Sequence, residues 1–84
     1  MGSYQVFLHL DLLLTLPRTG NARRQIMDFI QRLSDQPNTP GDFADRDREG
    51  RNRQIKIIGD YAVTYWPDHA VKAVMVVDIR LADR

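Results

Sequence analysis

Arginine, lysine and aromatic side chains are the groups in this chain best suited to act on another molecule. Arg51, Arg53 and Lys56 lead into and along one apolar segment, and Lys72 and Arg80 lie on the last one. Tyr61, Tyr65 and Trp66 fall on the segment between them. Aromatic rings beside cations are how proteins hold single-stranded RNA, with rings stacking on bases and cations meeting phosphates. A solvated sheet explains the same pattern, because tyrosine and tryptophan are ordinary strand residues and arginine and lysine are ordinary surface residues. Arg53 and Lys56 have opposite parity, so they share a face only if the strand starts after Arg53 or carries a bulge. Lys72 and Arg80 share parity with Asp78.

Other chemistries lack the residues they need. His9 with Asp11, and Asp68 with His69, offer two metal ligands each, fewer than the three or four of a zinc site. We therefore expect no metal and no cofactor. His69 reads first as a surface turn residue and second as a general acid or base, since only histidine titrates near neutrality unperturbed. Ser3 and Ser34 are the only serines and neither sits in a nucleophile elbow. Gly41, Gly50 and Gly59 are isolated, so there is no glycine-rich phosphate loop.

The balance of charge narrows the classes further. Twelve basic and eleven acidic residues give a net charge of +1, and the sequence pI of about 8.2 lies below the value near 9 typical of nucleic-acid-binding domains. An RNA or DNA site must then be a local patch. Cysteine is absent from the 84 residues, which excludes disulfides and zinc ribbons and makes a reducing cytoplasm the expected compartment. The run Leu12-Leu13-Leu14 is far short of the ~20 residues that cross a bilayer, and no basic leader precedes it, so neither a membrane partner nor a signal peptide is expected. The length predicts one domain over 1–84. It buries only roughly 60–65% of its unfolded surface, and a permanent partner would stabilise it.

The elements that position these residues follow from periodicity. Alternation from Tyr4 predicts a strand over Tyr4–Leu10, and Asp11 is placed to cap a short helix over Leu12–Leu16. Ala22, Ile26, Phe29, Ile30 and Leu33 mark one face of an amphipathic helix capped by Asn21 and ended by Pro37 and Pro40. Arg18, Arg23 and Arg24 near its start and Asp35 near its end oppose the macrodipole, at about 0.3–1 kcal/mol each. An acidic partner at Arg23 and Arg24 would explain them, as would plain tolerance. Of the nine residues from Asp45 to Arg53, seven are charged, which predicts a solvated edge strand and a turn at Glu49-Gly50. Strands then follow at Arg53–Ile58, Tyr61–Trp66 and Val71–Leu81. The predicted class is α+β: a small antiparallel meander with an N-terminal strand, and one main amphipathic helix, with a possible short one, packed on one face. Ile26, Phe29, Ile30 and Leu33 are expected to pack on Ile57, Val63, Met75 and Val77.

The assembled pattern resembles the RelE/ParE superfamily of toxins from bacterial toxin–antitoxin systems. The resemblance rests on a leading strand, the helix Ala22–Leu33 ending at Pro37, and the segment Gln54-Ile-Lys-Ile-Ile-Gly-Asp-Tyr-Ala-Val-Thr-Tyr65, which looks like the family's "IKI…GYRLVY" hairpin. The strand Val71–Ile79 followed by Arg80 looks like its last core strand with a basic terminus. The resemblance implies a toxin neutralised by a cognate antitoxin. RelE-type members enter the ribosomal A site and cleave mRNA by activating a ribose 2′-OH, with basic residues as base, acid and charge stabiliser. ParE-like members instead bind DNA gyrase and need no catalytic set. On this resemblance Lys56 matches the second lysine of the family strand and Arg80 the terminal arginine, with Arg84 as an alternative. Gln54 stands at the first lysine position, Ala62 at the arginine of "GYR", and no tyrosine follows Tyr65. The implied catalytic set is Lys56, Arg80, Arg53 and His69, with Arg51, Lys72, Tyr61 and Tyr65 on RNA. Arg23 and Arg24 would meet the antitoxin or a second copy in a homodimer.

Overall fold

The computed structural model describes residues 4–82, so Arg84 lies outside the described residues. The order is β1 (Gln5–Leu8), a 3-10 helix (Leu10–Thr15), α1 (Asn21–Arg32), β2 (Phe43–Arg46), β3 (Asn52–Ile58), β4 (Tyr61–Asp68) and β5 (Ala73–Leu81). One sheet contains all five strands in the order β1-β5-β4-β3-β2. Strands β2 to β5 form the antiparallel meander read from the sequence. The N-terminal strand joins it parallel to β5, which the alternation of its side chains does not specify, and the sheet is mixed.

Local chemistry sets the boundaries. The first strand ends at Leu8 rather than Leu10 because the chain turns into the 3-10 helix, where the His9 side chain, not Asp11, is the cap and accepts from the Asp11 N–H at 3.4 Å. Asn21 begins α1 without capping it. The cap is Gly20, whose φ of 106° belongs to the region that favours glycine. The last strand starts at Ala73 rather than Val71, because Lys72 turns with a φ of 54°.

The helix stripe packs as its periodicity predicts. Leu16, Ile26, Phe29, Ile30 and Leu33 close on Val63, Tyr65, Val74, Val76 and Ile79. Phe29 meets Tyr65 edge to face, with ring centroids 5.4 Å apart. The sheet side of this core differs from expectation. Thr64 pairs with Asp78 but the next residue, Tyr65, pairs with Val76, so Val77 is an extra residue in β5 and parity flips across it. Val74 and Val76 therefore share the helix-covered face with Ile79, while Val77 is 40% exposed. Met75 pairs with Trp66, and Ile57 with Ala62. None of these four is fully buried.

Candidate functional site

Strand pairing assigns the basic residues to faces, because cross-strand partners project on the same side of a sheet. Lys56 pairs with Val63, and Val63 with Ile79, both buried under α1. Lys56 thus rises on the helix side, at the rim, where Gln25, Asp28 and Arg32 of α1 border the same depression. Its Nζ lies 3.7 Å from an Asp42 carboxylate oxygen. Arg80 pairs with Ala62, which pairs with Ile57. Arg53, two and four residues before Ile55 and Ile57, shares their parity. Arg53 and Arg80 consequently occupy the face opposite the helix, and Lys56 does not join them.

Arg51, Arg53 and Arg80, like Lys56, each carry a carboxylate. Arg53 makes a two-point contact with Asp45, at 2.8 Å from both Nε and Nη2. These bonds hold the Asp45 carboxyl below the usual carboxylate range and raise the Arg53 guanidinium. The Asp78 charge also reaches Arg53, in keeping with a shared face. Arg80 donates from Nε to Asp78. Arg51 donates to Asp47 at 2.6 Å and to Glu49 at 2.8 Å, and its guanidinium lies 4.7 Å from the Trp66 ring centroid. Partial burial pushes the Asp47 carboxyl up, but hydrogen bonds from Arg51 and the Glu49 N–H outweigh it and hold it low. A phosphate arriving at any of these arginines must compete with a carboxylate already in place.

The remaining residues are dispersed. His69 follows the end of β4 remote from the Ala62–Arg80 pair. Seven residues of extended chain separate His69 from Ala62, roughly 23 Å. The His69 Nδ1 is hydrogen-bonded to the Tyr4 hydroxyl at 2.6 Å. Lys72 is exposed in the neighbouring turn. Tyr61 is half-buried against the core. Tyr65 corrects the expectation of a stacking ring: it is fully buried, and its hydroxyl donates to the Thr39 carbonyl at 2.9 Å. Burial, with the Asp42 charge nearby, pushes that hydroxyl up to about 12. Arg23 is half-buried, with Nη1 3.4 Å from the Pro17 carbonyl oxygen, and Arg24 is exposed. Among the described residues no group of three or more acidic, histidine or cysteine side chains is arranged to hold a metal ion.

A comparison of this architecture with solved structures is decisive for the fold. The chain superposes on a chain of the archaeal RelE-RelB complex from Pyrococcus horikoshii OT3 with a TM-score of 0.74, over 98% of both chains and at 19% identity. The chain has the RelE fold. No protein-family model matches the sequence, and no curated protein matches it.

Within that RelE fold, sequence reasoning missed two things. One is the acidic partner of each strand arginine, of which the signal was Asp-Arg spacing: four residues for Asp47–Arg51, eight across a hairpin for Asp45–Arg53, two for Asp78–Arg80. The other is a groove of about 430 Å³ between the segment after α1 and the Arg51–Trp66 stack. Trp66, the one tryptophan of the chain, was its signal.

Proposed function

We propose that the protein is the toxin-type component of a toxin–antitoxin pair, acting on the translation machinery or on RNA through the sheet face opposite α1. The observation that carries this reading is the RelE fold, matched end to end with a chain from a complex of RelE with RelB. The thin core of an 84-residue chain adds to it, because a binding partner stabilises such a domain by mass action. In this reading a cognate antitoxin covers the protein and Arg23 and Arg24 contribute to that contact. Arg53 and Arg80, as the two basic groups on one face, would meet the scissile phosphate of mRNA and its developing charge. Lys56, on the helix side, and His69, beyond the far end of β4, take no part in that contact.

A second reading, binding without cleavage, is favoured by two observations. Asp45 and Asp78 occupy the arginines, and the one histidine proposed for proton transfer sits at the far end of β4. Such a protein would arrest a target such as gyrase or the ribosome, or only bind its antitoxin. The test is induced expression of the full chain with and without the product of a small reading frame next to its gene, where one is found, with mapping of new mRNA 5′ ends. The proposal expects growth arrest that the neighbour relieves. New 5′ ends within ribosome-bound mRNA support cleavage, and arrest with intact mRNA supports binding alone. Normal growth under full expression of folded protein would overturn the proposal.

A further inference from the structure

We propose that the groove beside Trp66 is a binding site for a single unpaired RNA base. Its volume of about 430 Å³ falls in the range of small-ligand sites. Trp66 and Pro67 of β4, Arg51 and Asn52 at the start of β3, and Pro37 and Asn38 after α1 border it. The Arg51 guanidinium stacks over the indole at 4.7 Å and is fixed there by Asp47 and Glu49. Its side chain is 45% exposed. Planar guanidinium and indole groups are the surfaces on which splayed-out bases stack.

The polar chemistry points to a base rather than a phosphate. Two carboxylates already neutralise Arg51, so the groove offers no net positive charge. Asn38 and Asn52 supply neutral amides, which donate and accept as the edge of a base requires. A proline-rich peptide, the other ligand of tryptophan-lined grooves, docks on arrays of aromatic rings. Trp66 is the single aromatic ring bordering this groove.

The wall opposite the stack is held in advance. Thr39 is anchored through its carbonyl by the buried Tyr65 hydroxyl at 2.9 Å. The Gly41 N–H donates to Gln54 Oε1 and the Asp42 N–H to the Ile55 carbonyl, both at 2.8 Å. Gly41 lies so close to β3 that a Cβ there would stand 2.5 Å from the Ile55 oxygen. A preformed wall lowers the ordering cost of binding. Tyr65 is thus a positioning residue for this site.

The inference borrows the choice of RNA from the proposed function, yet its test needs neither growth arrest nor antitoxin, so each fails separately. Trp66 is the only tryptophan, and its fluorescence reports the groove alone. Purified full chain is titrated with the hexanucleotide r(A)6, with an abasic ribose-phosphate hexamer, and with a proline-rich decapeptide. The expected result is saturable quenching by r(A)6 only, with an affinity that changes less than about threefold between roughly 50 and 200 mM salt, because few phosphates are engaged. Arg51→Gln, which retains the reporter, and Asn52→Ala should weaken it, the former by roughly tenfold, with unchanged melting temperatures. Equal quenching by the abasic hexamer, quenching by the peptide alone, no saturation by about 1 mM, or parental affinity in folded Arg51→Gln would each overturn the proposal.

Discussion

The two faces of this sheet are made from the same strands but held by different physics. Under α1, Val63, Tyr65, Val74, Val76 and Ile79 are removed from water with Ile26, Phe29, Ile30 and Leu33. Burial of that kind contributes about 1.5–3 kcal/mol per large side chain. On the opposite face the recurring contact is an arginine on an aspartate, Arg53 on Asp45 and Arg80 on Asp78, and exposed pairs of this type are worth only about 0–1 kcal/mol. The covered face therefore determines whether the chain folds. On the other face, loss of a carboxylate should cost little stability.

The sharpest way to break this comparison is to truncate the covered face. Phe29→Ala removes a 6% exposed ring that packs on Tyr65 and should lower stability by roughly 3–5 kcal/mol, enough to unfold a domain of this size in a thermal melt. A variant melting within a few degrees of the parent would show that the core lies elsewhere.

Tyr65 gives the next effect. Its hydroxyl, at about 12 in the folded protein against 10.0 ordinarily, is held protonated by folding. A raised value stabilises fully below the unfolded value and is lost as pH climbs through the folded one. Stability measured by denaturant should therefore fall by roughly 2 kcal/mol between pH 10 and 12, and Tyr65→Phe should abolish that slope while losing about 1–2 kcal/mol at neutral pH. An unchanged slope would place the tyrosine in contact with water.

On the other face, Asp78→Asn should leave stability within about 1 kcal/mol of the parent. Freed from its carboxylate, Arg80 should bind a short oligoribonucleotide several-fold more tightly and with a steeper salt dependence. A large loss of stability would contradict the division between the faces.

Smallest is the effect at Lys72, whose φ of 54° suits glycine better than lysine. Lys72→Gly should raise stability by about 0.5–1 kcal/mol in a thermal melt. An unaltered affinity for the same oligoribonucleotide would remove Lys72 from the RNA-binding set.

Much of the covered face was legible in the sequence, and much of the other was not. The stripe from Ala22 to Leu33 has one helical solution, and the solvated hairpin around Gly50 follows from its charge. Val74 to Val77 are apolar at both parities, so hydrophobicity alone does not say which two face the helix, and the extra residue at Val77 decides it. Alternation from Tyr4 marks a strand but not its neighbour, so the parallel pairing with β5 was hidden. Tyr61 and Tyr65 are the same residue type four apart, yet the first is half-buried against the core while the second is wholly inside it and bonded to Thr39. The proposed site depended on register: Lys56 looked like the partner of Arg80 until pairing with Val63 put it on the other face.

The most direct measurement is growth after induced expression of Lys56→Gln and of the double variant Arg53→Gln, Arg80→Gln in a host that the parent chain arrests. Both sets of changes are on partly or wholly exposed side chains, so folding should persist and is checked by thermal melting. The account predicts that Lys56→Gln still arrests growth and that the double variant does not. Arrest abolished by Lys56→Gln and retained by the folded double variant would contradict it.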